Sequence, residues 1–88
     1  MELNRNSVKP GVYRHFKGNI YHVLGVAEHT ETGALTVFCI PQHGPHAGEL
    51  CNRDLDMFLE TVSNHKDRPE YTGPRFELIE ERDFIIRS

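Results

Sequence analysis

The stretch from Ile20 to Ala27, I-Y-H-V-L-G-V-A, is apolar on both of its faces. In an extended chain successive side chains alternate, so Ile20, Leu24 and Val26 share one side with His22. Tyr21, Val23, Gly25 and Ala27 share the other. A strand of this kind belongs at the centre of a closed or stacked sheet. Its neighbours have the spacing to build one. Tyr13 to Phe16 reads as a short strand, joined to it by a Lys17-Gly18-Asn19 turn in which Gly permits positive φ. Beyond a polar turn from Glu28 to Gly33, Ala34 to Ile40 alternates Leu35, Val37 and Cys39 with Thr36, Phe38 and Ile40. Pro and Gly exclude regular structure from Pro41 to Gly48, and Glu49 to Arg53 returns as a fourth strand.

A helix is predicted next. Asp54 is placed to accept a hydrogen bond from the free amides of the first turn, and Asp56 complements its dipole. Leu55, Phe58, Leu59 and Val62 fall at i, i+3, i+4 and i+7, an apolar stripe about two turns long. Ser63 to Pro74 is polar and interrupted by Pro69, Gly73 and Pro74, which excludes a continued helix. Arg75 to Ile79 reads as a closing strand, and Phe84-Ile85-Ile86 is apolar enough to add a strand or cover a partner. The expected fold is mainly β with one short helix: a small SH3-like barrel or a strongly curved antiparallel sheet. It would be a single domain over residues 1–88, with an irregular arm at 1–10, the barrel-like body at 11–79 and a C-terminal extension at 80–88.

Composition narrows the classes of function. Eighty-eight residues suit one thin core, which oligomerisation or a ligand would naturally supplement. No apolar run approaches the roughly 18–20 residues of a membrane span, so no membrane partner is expected. The start of the chain lacks the apolar core of a signal peptide, and two cysteines are too few for a disulfide scaffold. A cytoplasmic setting is the expectation. The net charge of −3 divides unevenly: residues 1–27 carry +3, residues 28–88 carry −6. General binding to duplex nucleic acid needs a broad basic surface, which this balance does not provide. A local anion site near the amino-terminal half remains compatible with it, as does attraction between the two halves or between two copies.

The densest group of binding-type residues lies between Gly11 and Tyr21, G-V-Y-R-H-F-K-G-N-I-Y. Together with V-L-G-V-A-x-H-x-E-T from Val23 to Thr32, this run resembles the domain-of-unknown-function family numbered 1653, small proteins of bacteria and their phages. The resemblance covers about residues 11–79 and resumes at Val37-Phe38, Arg53, Met57-Phe58 and Arg75-Phe76. Members share a Trp-Val-Arg-Pro run where this chain has Cys51-Asn52-Arg53-Asp54, so the arginine persists while its aromatic neighbour and the following proline do not. The resemblance implies a fold and supplies no activity.

Three kinds of site are open from the residues. The first is an anion pocket. Arg14, Arg53 and Arg75 offer planar forks suited to phosphate or carboxylate, with Tyr13, Tyr21, Phe16 or Phe76 to stack on a ring. His15 and His29 would add donors, and Asn19 would read an edge. The competing reading pairs these arginines with Glu28, Glu31, Asp54 or Glu77 as turn organisers. The second is zinc, from Cys39, His43, His46 and Cys51 in C-x3-H-x2-H-x4-C, a spacing without the C-x2-C knuckle of structural zinc. Read blandly, these are two core cysteines and two solvent histidines. The third is catalysis. None of Ser7, Ser63 and Ser88 lies in a G-x-S-x-G turn, and Glu28 and Glu31 around His29 read better as turn-solvating groups than as acid and base.

The expectation is therefore a non-enzymatic binding module for a small anionic or nucleotide-like ligand. Its residues would be Tyr13, Arg14, His15, Asn19, Tyr21, His29, Arg53 and Arg75, with no cofactor beyond the zinc alternative. A homo-oligomer is expected, and a protein-interaction domain is the alternative reading.

Overall fold

A computed structural model describes residues 3–82. The strands are β1 (Gly11–His15), β2 (Ile20–Glu28), β3 (Leu35–Pro41) and β4 (Cys51–Asp54), followed by a one-turn helix α1 (Leu55–Phe58). The chain then forms β5 (Thr61–His65), β6 (Arg68–Pro74) and β7 (Phe76–Glu81). Five strands make one antiparallel sheet in the order β4-β3-β2-β1-β7, and β5 and β6 make a separate hairpin. The large sheet is curved but open, because β4 and β7 end it without pairing to each other. Of the two expected forms, the curved sheet is the one observed. As the residues demanded, β2 sits at the centre, hydrogen-bonded on both sides.

The two faces of β2 are not the simple alternation first read. The register slips between Val23 and Gly25, a β-bulge in which Gly25 takes φ 144°, a region that side-chain-bearing residues seldom adopt. One extra residue exchanges the faces beyond it. Tyr21 and Val23 point into the core, and after the bulge it is Val26, not Ala27, that packs against it opposite Val37.

The core lies on that face. Tyr13, Tyr21, Val23, Val37, Cys39, Leu55, Phe58 and Phe76 form one buried cluster. Over its described residues, 3–10, the amino-terminal arm has no regular structure, yet it covers the cluster with Val8 and Leu3. Tyr13 ties the arm down by donating its hydroxyl to the Lys9 carbonyl at 2.8 Å. Against β1 the approach of β7 is so close that a Cβ on Gly11 would lie 2.3 Å from the Glu80 carbonyl oxygen.

The expected two-turn helix is shorter. α1 stops at Phe58; Leu59 leaves the helix with φ −87°, ψ 3° and is 41% exposed. Val62 does reach the core, at 4% exposure, but from strand β5. Its i+7 spacing from Leu55 thus imitates a helical stripe without belonging to one. The segment 63–74, where Pro and Gly exclude a continued helix, contributes most of the β5–β6 hairpin. Its polarity has a structural cause: a two-stranded ribbon leaves most of its side chains in water. Pro69 is accommodated because it takes no part in the paired register, next to the bulge at Asn64, whose φ is 54°. Lys17 and Asp67 join the hairpin to the β1–β2 turn at 2.7 Å, Arg68 donates to the Phe16 carbonyl, and Tyr71 stacks on the Phe16 ring. The Phe84-Ile85-Ile86 segment lies outside the described residues.

Candidate functional site

Two arginines from separate parts of the chain line one cavity, Arg53 over the Tyr21 and Phe76 rings and Arg75 over the Phe16 ring. Arg53 lies in β4, one residue before the strand gives way to α1, and Arg75 is the single residue between β6 and β7. The backbone of Arg75 is fixed on both sides: its N–H donates to the Glu60 carbonyl at 2.9 Å, and its own carbonyl accepts from Phe16 N–H at 2.8 Å. Beneath Arg53 the Phe76 ring stacks in parallel on that of Phe58, 4.2 Å between centroids and 7° between planes. Tyr13 meets Phe58 edge-on at 5.3 Å, and Tyr21 meets Phe76 edge-on at 5.2 Å. A cavity of about 160 Å³ opens above this floor, lined by Arg53, Asp54, Met57, Phe58, Arg75 and Phe76.

The two guanidinium groups are held differently. Arg53 lies over the Tyr21 ring at 5.4 Å and the Phe76 ring at 5.2 Å, and donates to the Tyr21 hydroxyl at 3.3 Å. Among the described residues no carboxylate lies within ion-pair reach of it. Arg75 does have a partner, Glu60, at 3.0 Å, but its enclosed Nε–H finds no acceptor. A buried donor without a partner is costly.

His15 lies in the packing below. Its ring contacts those of Phe16 at 4.7 Å and Phe76 at 4.9 Å, and Nδ1 accepts from Lys17 N–H at 3.2 Å. Burial, then the positive charges of Arg53, Arg75 and Lys17, and last His65, push its pKa down to about 4. At neutral pH it is an uncharged part of the floor.

Of the residues expected to bind, the structure brings Arg53 and Arg75 to the cavity and places His15 and Tyr21 beneath it. The others stand apart from it. Tyr13 is buried in the core with its hydroxyl spent on Lys9 and its pKa raised, chiefly by burial. Arg14 is exposed and paired with Glu77 at 3.4 Å. Asn19 is exposed in the turn, where its carbonyl accepts from His15 N–H. His29 lies in the β2–β3 turn and accepts the Glu31 and Thr32 amides, each at 3.3 Å, through Nδ1. Strand alternation accounts for this scatter: a compact motif on a hairpin sends alternate residues to opposite faces.

Asp54, Met57 and Phe58 also line the cavity, although the sequence marks Asp54 as a helix cap and Phe58 as part of an apolar stripe and gives Met57 no role. Asp54 was expected to cap the helix; it makes no side-chain cap hydrogen bond. Instead Asp56 accepts from Met57 N–H through Oδ1 at 2.9 Å. The zinc ligand set is likewise not assembled. Cys39 is buried opposite Cys51 in the β3–β4 register, His46 faces Glu49 at 3.4 Å, and His43 is exposed in the loop. Among the described residues no group of three or more His, Cys, Asp or Glu side chains is arranged to hold a metal ion.

The chain is a small, strongly curved antiparallel-sheet domain with one short helix, and its cavity lies where the helix meets the closing strand. The family model for "Protein of unknown function (DUF1653)" matches residues 11–78, and the chain belongs to that family. It is similar to the crystal structure of a protein of the same family from Bordetella bronchiseptica, at 27% identity and a TM-score of 0.71. The match spans 97% of this chain and 100% of that one. No curated protein matches the sequence. Among the described residues no helix is long and apolar enough to cross a membrane.

The buried state of His15 sets a pH dependence. The unfolded chain binds this proton near pH 6.5, the folded chain near pH 4, so the unfolded state holds more protons between those values. The stability contributed by neutral His15 is complete above about pH 6.5 and is lost as pH falls toward 4. The full difference corresponds to roughly 3 kcal/mol. Urea unfolding at pH 7 and pH 5 should show about half of this loss, and His15→Asn, which keeps an acceptor for the Lys17 amide, should reduce it. Equal pH slopes for the two proteins would remove His15 as the cause.

Proposed function

We propose that this protein is a non-enzymatic binding module whose ligand is a small anionic, nucleotide-like molecule held by Arg53 and Arg75. The observation that carries the reading is their convergence on one cavity, with Arg53 free of any carboxylate among the described residues. A guanidinium presents a planar donor fork to phosphate or carboxylate, and its attraction for an anion grows where aromatic surface excludes water. Phe58, Phe76 and the exposed Met57 supply that surface and an apolar wall for a base or ring. Isothermal titration with a nucleoside monophosphate tests the reading. Arg53→Ala should weaken binding about tenfold or more, a loss of about 1.4 kcal/mol, while Arg14→Ala should leave it unchanged. A folded Arg53→Ala/Arg75→Ala protein that binds as well as the parent would contradict the proposal.

One further observation favours association of two copies as a second reading. β7 is an edge strand whose Leu78 and Ile79 are 38% and 47% exposed. Its acidic residues are each matched by a cation of the same chain: Glu77 by Arg14, Glu80 by Arg82 and Glu81 by Lys9. Like-charge repulsion, a usual defence of exposed edges, is thereby muted for an approaching second copy. Light scattering should report a dimer that Ile79→Lys converts to a monomer. A monomeric parent protein at high concentration would end this reading.

A further inference from the structure

The cavity contains an acid as well as two bases. Asp54 lines it together with Arg53 and Arg75. It immediately precedes α1, yet its carboxylate neither caps that turn nor pairs with any cation among the described residues. Other acids nearby are engaged: Glu60 holds Arg75, Glu77 holds Arg14, and Asp56 accepts the Met57 amide. Arg53, adjacent in sequence, gives its hydrogen bond to the Tyr21 hydroxyl rather than to Asp54. Arg53 and Asp54, neither of them in an ion pair among the described residues, are thus consecutive residues in the lining of one pocket.

We propose that Asp54 sets the specificity of this pocket by accepting hydrogen bonds from a donor group that the ligand carries beside its anion. The inference rests on the anion reading above and narrows it. A carboxylate at the wall repels a ligand that is only anionic, and the repulsion becomes attraction when the ligand turns an N–H group toward it. The two oxygens suit an ammonium or a pair of neighbouring N–H groups on a planar ring, while Phe58 and Met57 bound the apolar part between the two ends. The contribution is that of the side chain; the four-residue helix adds no amide cradle. The shared chemistry is an anion with an adjacent nitrogen donor. Two sources offer it: the ammonium of an amino-acid-like zwitterion, and the N1–H and 2-amino edge of a guanine nucleotide.

Matched probes separate these sources on the full chain. Guanosine monophosphate is compared with inosine monophosphate, which lacks the 2-amino group, and phenylalanine with 3-phenylpropanoate, which lacks the ammonium. Inorganic phosphate serves as the anion alone. In at least one pair the donor-bearing member should bind about tenfold more tightly, as expected when a polar group of the site is otherwise left unpaired. Asp54→Ala should bring that ratio close to one while phosphate binds equally well or better. The position is exposed, so the substitution should leave the fold intact; Asp54→Asn, which removes the charge alone, is the second variant. Equal affinities within both pairs, or a preference that survives in Asp54→Ala, would overturn the inference while leaving the anion site standing. If phosphate and every probe fail to bind, the anion reading falls and this inference falls with it.

Discussion

The stack of Phe58 on Phe76 is the contact through which the other features of the molecule are connected. Phe58 ends α1 and Phe76 begins β7, so the pair joins the helix after one edge strand to the strand that forms the opposite edge. Each ring also meets a tyrosine from the centre of the sheet, Tyr13 from β1 and Tyr21 from β2. In a chain of this length the core is thin, and four interlocked aromatic rings supply much of what it can bury. The curvature that brings β4 and β7 toward a common core, without pairing, is what places Arg53 and Arg75 at one cavity.

Electrostatics follows from that packing. Arg53 sits over two aromatic rings, and Arg75 is fixed by backbone hydrogen bonds at the hairpin junction. Their charges are felt by His15, which is kept neutral beneath them. A positive field backed by a neutral histidine differs from a set of exposed ion pairs such as Arg14–Glu77, which water screens and which contributes little. The distinction separates arginines that organise the surface from those that leave binding capacity unspent. It also explains why the first eleven-residue motif, dense in polar and aromatic groups, supplies floor and core more than cavity wall.

Much of the large sheet was legible in the residues. The two-sided apolar pattern of β2 placed it at the centre, and the Gly and Pro clusters marked the turns around β3. Two features were hidden by periodicity. Val62 stands at helical spacing from Leu55 and Phe58, yet it comes from a strand, and only the chain's return through β5 and β6 decides between the alternatives. The bulge at Gly25 shifts the pattern by one residue, which no alternation rule anticipates from sequence. For the site, Arg53 and Arg75 were identified by residue type, while Asp54 was obscured by its place before a helix. A carboxylate there ordinarily caps; that this one does not is a fact of geometry, not of sequence.

The most direct measurement of the central claim is an NMR titration of the arginine side chains with inorganic phosphate. The Nε–Hε signals of Arg53 and Arg75 should move together and saturate, while those of Arg14 and Arg82 stay in place. Small, uniform, unsaturated shifts across all arginines would show a general surface charge effect and contradict an anion site at this cavity.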